Sequence, residues 1–357
     1  MSSRPKYISL LEEAWQQHLK PRAENAPTVI STFAGAGGSS LGYSMAGFKE
    51  LLAVEWDDNA VATFKLNFPD VPVYHGDIAK LSIEECMSLA GLSAPGELDV
   101  LDGSPPCQGF STAGKREMSD DRNQLFREYV RLLKGLQPKA FVMENVSGMV
   151  KGKMKLIFAE ILRELRGCGY EVSARLLNAM YFNVPQSRER MIFIGVRNDL
   201  GIKPGHPEAE RHPRTVGEAI GDLPNVQMPD IQHIWLDESP SGKGTETYKL
   251  AAQAKQGQKY AGHQKREVWD EPFSTITKPS SDGMGISQYL RNSHCHPLYT
   301  RTYSVRELAR GASFPDGFQF IGLEGANRIG NSVPPLFMRA IATHIRENIL
   351  EAVKSHD

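Results

Sequence analysis

Short apolar runs alternate with helical patterns from about residue 28 to residue 197. Five of the runs predict strands, and they are TVISTF (28–33), LLAVE (51–55), LDVLD (98–102), AFVME (140–144) and RMIFIGV (190–196). Across 123–136 and 156–165, apolar residues recur at steps of three and four, which predicts helices. Strands that alternate with helices indicate an α/β fold, in which helices pack on a mostly parallel sheet.

The pattern changes after residue 197, where Pro, Gly, His and Gln replace the periodic apolar positions. Regular patterns return near Thr302, with a helix in SVRELARG and a last helix from Pro335 towards Val353. The sequence therefore predicts a larger domain over 1–198, to which 315–357 returns, and a smaller domain over 199–314. The start of the chain mixes charged residues with helical spacing, which predicts a surface helix. It lacks the apolar stretch and cleavage site of a signal peptide.

Composition is that of an ordinary soluble protein. No apolar run in the 357 residues approaches the roughly 20 residues that a membrane span needs. The four cysteines have neither zinc-site spacing nor the pattern of a disulfide framework, so we expect a reducing cytoplasm and no bound metal. The net charge of −1 excludes a uniformly basic surface, but local stripes of Lys and Arg suffice to bind nucleic acid.

A glycine-rich turn, AGAGG, follows the first predicted strand and opens a helix. Gly35 and Gly38 let the backbone approach a ligand closely, and the helix N-terminus favours an anionic group. The spacing departs from the dinucleotide fingerprint, which disfavours a nicotinamide dehydrogenase and makes a methionine carboxylate a better guest than a pyrophosphate. At the end of the second strand, Glu55 can accept both hydroxyls of a ribose. Trp56 offers a face for adenine, and Asp77 offers a partner for the adenine amino group.

Cys107 lies just beyond the carboxyl end of the LDVLD strand, where open α/β sheets place ligands and chemistry. A lone cysteine is most often a small buried hydrophobic residue, and Cys86 and Cys168 are expected to be of that kind. Cys107 differs because two stiff prolines precede it in a segment without an apolar pattern. It is therefore a candidate nucleophile.

Seven short blocks follow one another in the order FAGAGG, EWD, GDI, GSPPCQGFS, MENV, QSRER and GNSVPP. Together they closely resemble the DNA cytosine-C5 methyltransferases, from about Phe33 to Leu336. Only the first 27 residues and roughly 205–295 lie outside the match, and that family carries its variable target-recognition region in the second stretch. The resemblance implies a Rossmann-like, S-adenosylmethionine-dependent methyltransferase sheet with a second, smaller target-recognition domain.

The resemblance also implies a reaction. Cys107 attacks C6 of a cytosine flipped out of duplex DNA, C5 takes the methyl group of S-adenosylmethionine, and S-adenosylhomocysteine is the product. Loss of the C5 proton and β-elimination then free the enzyme. Glu144 is expected to donate at N3, which requires it to be protonated or to share the proton of the base near neutral pH. Arg190 is expected to contact O2, with Arg188 supporting the base or a phosphate.

Further residues are assigned by the same resemblance. The polar stretch 108–123 is expected to close over the flipped base as a lid. The expected cofactor contacts are Phe33, Gly35, Gly38, Glu55, Trp56, Asp77, Ile78, Leu125 and Asn331. The expected DNA contacts within the match are Gln108, Ser111, Lys115 and Arg116. Lys259 and Arg266 lie in the stretch outside the match, where they are expected to contact DNA either as base readers or as phosphate clamps.

Two alternatives stay open. An RNA cytosine methyltransferase would use the same chemistry, although the CFT triplet of tRNA-directed relatives is absent. An inactive homologue kept as a DNA-binding module would not need intact Cys107, Glu144 and Arg190. The expected partners are duplex DNA and a cognate restriction endonuclease, for a monomer associated with a prokaryotic nucleoid. The recognition sequence cannot be predicted, because no periodic pattern occurs in 205–295.

Overall fold

The computed structural model describes residues 6–106, 121–150, 154–225, 249–261, 264–277, 294–321 and 325–354. The chain forms two compact units. The larger, called here the sheet unit, comprises Gln16–Asn178, Glu189–Ala209 and Phe337–Asp357. The smaller, called here the small unit, comprises Met1–Trp15, Ala179–Arg188 and Glu210–Leu336.

The sheet unit is built on a seven-stranded sheet in the order β3-β2-β1-β4-β5-β7-β6. The strands are β1 (Thr28–Thr32), β2 (Lys49–Glu55), β3 (Val73–His75), β4 (Val100–Gly103), β5 (Ala140–Val146), β6 (Tyr170–Asn178) and β7 (Glu189–Arg197). Strands β1 to β5 pair in parallel, whereas β7 runs antiparallel to both β5 and β6. The predicted mostly parallel α/β sheet is confirmed, and its parallel strand ends share one edge, where such sheets bind ligands.

Helices occur in both compact units. They are α1 (Tyr7–Leu19), α2 (Gly38–Met45), α3 (Asp58–Asn67), α4 (Ile83–Ala90), α5 (Asp121–Leu136), α6 (Met154–Arg166), α7 (Val216–Ile220), α8 (Val305–Gly311), α9 (Gly325–Asn331), α10 (Pro335–Ile345) and α11 (Glu351–Lys354). A π-helical segment, Arg346–Leu350, joins α10 to α11. Among the described residues, no helix is both long and apolar enough to cross a membrane.

The core of the sheet unit lies under the middle of the strands. Tyr129, Leu133 and Leu136 form the buried stripe of α5, as their spacing predicted, and pack with Phe141 of β5 and Phe193 of β7. Burial of each such side chain contributes about 1.5–3 kcal/mol. Cys86 and Cys168 are also buried in this core, as predicted. Apolar packing thus fixes the strands and leaves their carboxyl ends for polar side chains.

The small unit has few regular elements. Its described strands are the short pair β8 (Lys259–Ala261) and β9 (Gln264–Lys265). Along the sequence, the chain passes from one compact unit to the other at 209/210 and 336/337. The small unit also includes Met1–Trp15 and Ala179–Arg188. The boundaries drawn from sequence, at 198/199 and 314/315, therefore differ from those of the compact units. As boundaries of functional domains they stay a prediction.

Candidate active site

The predicted cofactor turn joins β1 to α2. Phe33 and Gly35 both have a left-handed φ, of 55° and 57°. A Cβ added at Gly35 would meet no atom within 4 Å, so this side of the turn is open to a ligand. A Cβ at Gly37 would lie 2.6 Å from the ring of Phe68, which restricts that position to glycine. Gly38 begins α2, so the turn leads directly into the helix, as the sequence predicted.

Glu55 ties the turn to the next strand. It ends β2 and is buried. Its Oε2 accepts the Gly35 N–H at 2.8 Å, and its Oε1 accepts the N–H groups of Trp56 and Asp57 at 2.8 and 2.9 Å. These backbone donors fix the carboxylate at the edge of the sheet. Each carboxylate oxygen has further acceptor capacity, so Glu55 can still bind a ribose diol.

Of the residues predicted to surround the adenine, Trp56 follows β2, Asp77 and Ile78 follow β3, and Leu125 lies in α5. Trp56 is 76% exposed, so its indole face is open. Asp77 is exposed, and its Oδ1 accepts the Ala79 N–H at 3.0 Å. Ile78 is buried in the core of the sheet unit, and Leu125 is partly buried and packs against the same core. An open indole beside a carboxylate and an open glycine turn fits a nucleoside with a charged tail, such as S-adenosylmethionine.

Glu144 and Arg190 form an ion pair at the end of β5. The Arg190 Nε lies 2.7 Å from the Glu144 Oε1, and the side chains are only 15% and 11% exposed. The register explains the contact: Val146 lies opposite Arg190 and Glu144 opposite Ile192, so the pair are diagonal neighbours on one face. The structure thus brings these two predicted site residues together. Their contacts with cytosine stay a prediction.

Asn145 is a site residue that sequence analysis did not single out. It is 5% exposed, and its Nδ2 donates to the Pro105 carbonyl at 2.8 Å. Its Oδ1 accepts the Val146 N–H at 2.9 Å. The bond therefore ties the end of β5 to the segment that leads to the candidate nucleophile. The signal was an amide directly after Glu144 in a buried strand, because a buried polar side chain needs partners.

Five predicted site residues lie outside the described residues. They are Cys107, Gln108, Ser111, Lys115 and Arg116. Cys107 follows Pro106, the last described residue before that gap. The described residues therefore end immediately before the predicted nucleophile.

Arg188 has a structural role in the small unit. It is 3% exposed, its Nη1 donates to the Ile276 carbonyl at 3.0 Å, and its Nη2 donates to the Gly330 carbonyl at 3.1 Å. A guanidinium enclosed in this way holds backbone, and the predicted support of a base or phosphate by Arg188 stays a prediction. Asn331, the predicted cofactor asparagine, follows Gly330 at the end of α9 and is exposed.

The two predicted DNA contacts in the small unit have opposite surroundings. Lys259, in β8, is exposed. Arg266 is 7% exposed. Its guanidinium donates to the carbonyls of His296, Pro297, Tyr299 and Ala251 and to the Thr300 hydroxyl, at 2.8 to 3.4 Å. Both Nη atoms of Arg266 therefore hold backbone and a hydroxyl inside the small unit, and its predicted DNA contact stays a prediction.

Two carboxyl groups flank β1 beneath the glycine turn, and neither was predicted. Asp102 is paired with Ser31 in the sheet register, and the Tyr43 hydroxyl donates to it at 3.3 Å. Burial raises the pKa of Asp102 to about 7. Burial also raises the pKa of Glu50, on β2, to about 8. Among the described residues, no group of three or more His, Cys, Asp and Glu side chains is placed to hold a metal ion.

Comparison with known proteins places the chain in a family. The sequence model of the C-5 cytosine-specific DNA methylases matches residues 27–347. The chain is 37% identical over 336 residues to the type II methyltransferase M1.HphI of Haemophilus parahaemolyticus, which covers 88% of this chain and 85% of the relative. It is 34% identical over 366 residues to M.XorII of Xanthomonas oryzae pv. oryzae, which covers 89% and 84%.

Solved structures agree with this fold. A prophage-encoded protein of E. coli, described as a DNA modification methyltransferase, superposes with a TM-score of 0.73 at 25% identity, covering 91% of this chain and all of that one (100%). Spodoptera frugiperda DNMT2 superposes with a TM-score of 0.61 at 18% identity over 92% of this chain and 100% of its own, a likeness of fold alone. With the family model and the relatives above, the chain belongs to the C-5 cytosine-specific DNA methylases and is a DNA cytosine-5-methyltransferase.

Proposed function

We propose that the enzyme transfers a methyl group from S-adenosylmethionine to carbon 5 of a flipped-out cytosine in a specific duplex DNA sequence. The observation that carries this proposal is the Glu144–Arg190 pair, with its 2.7 Å separation at the end of β5. Strand β4 lies beside β5, with Gly103 opposite Met143, and its chain continues to Cys107 three residues after Ser104. An acid, a cation and a thiol therefore come from neighbouring strand ends, as attack on a pyrimidine ring requires.

Cys107 is the proposed nucleophile. Its thiolate adds to C6, and the electron pair of the C5–C6 double bond makes C5 a nucleophilic enamine carbon. C5 then forms its bond to the methyl carbon as the bond from that carbon to sulfur breaks, which leaves S-adenosylhomocysteine. A base removes the C5 proton, the double bond re-forms, and the thiolate leaves from C6.

Glu144 and Arg190 stabilise the charge that thiolate addition places on the ring. Arg190 offers a permanent cation to O2, and Glu144 carries a proton to N3. In the structure the carboxylate of Glu144 accepts from the Arg190 guanidinium. The proton at N3 is therefore taken up, or shared with the base, when the cytosine enters the site.

The methyl donor is held by the glycine turn and the ends of the neighbouring strands. Glu55 binds the ribose hydroxyls, Trp56 covers the adenine, and Asp77 accepts from its amino group. The open space at Gly35 and the helix N-terminus behind it receive the methionine carboxylate. When bound, S-adenosylmethionine supplies a methyl group on a positively charged sulfur.

Duplex DNA is bound outside this pocket. The target carbon is inaccessible in a stacked duplex, and flipping the base out costs a few kcal/mol. The stretch 108–123, with Lys115 and Arg116, closes over the flipped base, and Lys259 contacts the phosphates. Since its relatives are named type II methyltransferases, we propose a restriction-modification role for a monomer on the prokaryotic nucleoid.

A labelling experiment tests the proposed function. The protein is incubated with S-adenosylmethionine carrying a labelled methyl group and with duplex DNA or tRNA, and the modified base is mapped. We expect label at carbon 5 of cytosine in duplex DNA, within one sequence context. Label on tRNA alone, or no transfer to either polymer, would overturn the proposal.

A further inference from the structure

Cationic side chains meet at the C-terminal end of α2, the helix that begins at the glycine turn. The Arg22 Nη2 donates to the Ser44 hydroxyl oxygen at 2.6 Å, and the His18 Nδ1 lies 2.7 Å from the same oxygen. The Arg346 Nη1 donates to the Ala46 carbonyl at 2.6 Å. Ala46 is the residue that caps the C-terminus of α2, so these contacts reach its last turn.

These side chains come from opposite ends of the chain, and all belong to the sheet unit. His18 lies in the last turn of α1, and Arg22 also donates to the carbonyls of Gln17 and His18, at 3.1 and 2.8 Å. One guanidinium therefore binds both the end of α1 and the end of α2. Arg346 begins the π-helical segment, a kind of helix irregularity that often accompanies function. None of these residues belongs to the seven sequence blocks.

The charges at this place suit a helix C-terminus. The last carbonyls of a helix carry partial negative charge, which cations stabilise. Burial, and next the charge of Arg22, lower the pKa of His18 to about 4, so the histidine is neutral near pH 7. The positive charge is therefore that of Arg22 and Arg346.

The other end of α2 is held without a cation: the Glu55 carboxylate accepts the Gly35 N–H at 2.8 Å, and the Ser40 hydroxyl donates to the Ser31 hydroxyl oxygen at 3.4 Å. The N-cap of α2 is Gly37, which has no side chain to accept from the first helical N–H groups. A helix of eight residues is about 12 Å long, so a shift at one end is carried to the other. The position of the glycine turn therefore depends on how the C-terminal end of α2 is held, as well as on the bond from Gly35 to Glu55.

We infer that Arg22 and Arg346 are positioning residues for the methyl donor, because they hold α2 from its C-terminal end and thereby set the glycine turn at its N-terminal end. The inference rests on the proposed function, in which that turn binds S-adenosylmethionine. It gives a role to the segment before β1 and to the end of the chain, which the site residues do not explain.

The test uses the full chain with Arg346→Gln and Ser44→Ala. Ser44→Ala removes the oxygen that Arg22 and His18 share, but it leaves the bonds of Arg22 to α1. The dissociation constant for S-adenosylmethionine is measured by calorimetry, and KM and kcat with duplex DNA. Each variant is expected to raise the dissociation constant and KM for S-adenosylmethionine about three- to tenfold. The kcat at saturating cofactor is expected to stay within about twofold, and Arg346→Lys to recover part of the affinity.

A matched control separates positioning from general stability. The Arg197 Nη1 donates to the Gln137 carbonyl at 2.5 Å, just past the C-terminus of α5, and it does not contact α2. Arg197→Gln is expected to lower the thermal midpoint while leaving cofactor affinity unchanged. Equal cofactor affinity in wild type, Arg346→Gln and Ser44→Ala would overturn the inference, as would an equal loss in Arg197→Gln. If the wild type itself does not bind S-adenosylmethionine, the proposed function fails first.

Discussion

Arg188 and Arg190 are two residues apart in the chain, lie in different compact units and make different contacts. In the sheet unit, Arg190 lies at a strand end and pairs with Glu144. In the small unit, Arg188 and Arg266 are enclosed, and their guanidinium groups donate to backbone carbonyls. The difference follows from the local backbone. A strand ladder satisfies the peptide groups along a strand, whereas irregular segments and helix ends leave carbonyls that need other donors, as at Arg346 and Arg197 of the sheet unit.

Other arginines of the small unit bind both carboxylates and backbone carbonyls. Arg301 donates through both Nη atoms to the buried Glu307, at 2.8 Å each. Arg310 donates to the Ala219 carbonyl at 3.2 Å and also binds Asp316. Such pairs hold loops by charge-assisted hydrogen bonds. Arg188 donates to backbone carbonyls, whereas Arg190, two residues later, pairs with the carboxylate of Glu144.

The largest expected effect is on the chemistry of the sheet unit. Glu144→Gln keeps the shape of the side chain but cannot supply a proton to N3. It is expected to lower kcat about 10²- to 10⁴-fold with little change in thermal midpoint, because the site lies at a strand end. Steady-state kinetics at saturating cofactor and DNA measure this effect. Activity within tenfold of wild type would remove Glu144 from the mechanism.

Arg266→Gln tests whether an arginine that donates to backbone carbonyls stabilises the small unit. Several carbonyls lose a charged donor inside the small unit, so the free energy of unfolding is expected to fall by about 2–4 kcal/mol. Arg266→Lys is expected to restore little, because one ammonium cannot reach acceptors spread around a planar guanidinium. Urea denaturation measures the loss. If the free energy of unfolding is unchanged and DNA binding is weaker, Arg266 contacts DNA and does not stabilise the small unit.

These arginines also show what the sequence could and could not predict. The regular part of the sheet unit was readable, because apolar periodicity reports burial directly, and five of its strands were located. Strand β3 was missed because Val73–His75 is only three residues long. Strand β6 was missed because as an edge strand it carries exposed side chains, such as Glu171 and Arg175, among its apolar ones.

Site residues divide in the same way. Glu55 and Glu144 lie towards the carboxyl ends of predicted parallel strands, whereas Arg190 reaches the same edge because β7 runs antiparallel to β5, which the sequence did not predict. Arg188 could not be assigned from sequence, because its acceptors are carbonyls 88 and 142 residues away in the chain. No letter of the sequence marks a carbonyl that lacks a donor.

A third prediction concerns Glu50, a buried acid of the sheet unit. Both carboxylate oxygens of Glu50 are enclosed, and its pKa of about 8 keeps it neutral in the folded protein. The unfolded chain ionises near its usual value of 4.5, so wild-type stability is lost as pH rises from about 4.5 to about 8. Glu50→Gln removes this loss and is expected to raise the thermal midpoint by a few degrees at pH 8, with almost no gain at pH 4.5. An equal change at both pH values would contradict a neutral Glu50.

The smallest expected effect is that of Lys259→Ala, the exposed counterpart of Arg266. A lysine that contacts a phosphate is expected to add about one unit to the slope of log affinity against log salt concentration. Its removal should reduce the slope by that amount and leave the thermal midpoint unchanged. Fluorescence anisotropy with labelled duplex DNA over a salt series measures the slope. An unchanged slope would exclude Lys259 from the phosphate contacts.

Covalent catalysis by Cys107 is the central claim, and a trapping experiment tests it most directly. A duplex with 5-fluorocytosine at the target position is incubated with the enzyme and S-adenosylmethionine. The fluorine cannot leave as the C5 proton does, so wild type is expected to form a denaturation-resistant protein–DNA adduct, and Cys107→Ala is expected to form none. An adduct that survives Cys107→Ala, or its absence from wild-type enzyme that methylates the same duplex with cytosine, would contradict the account.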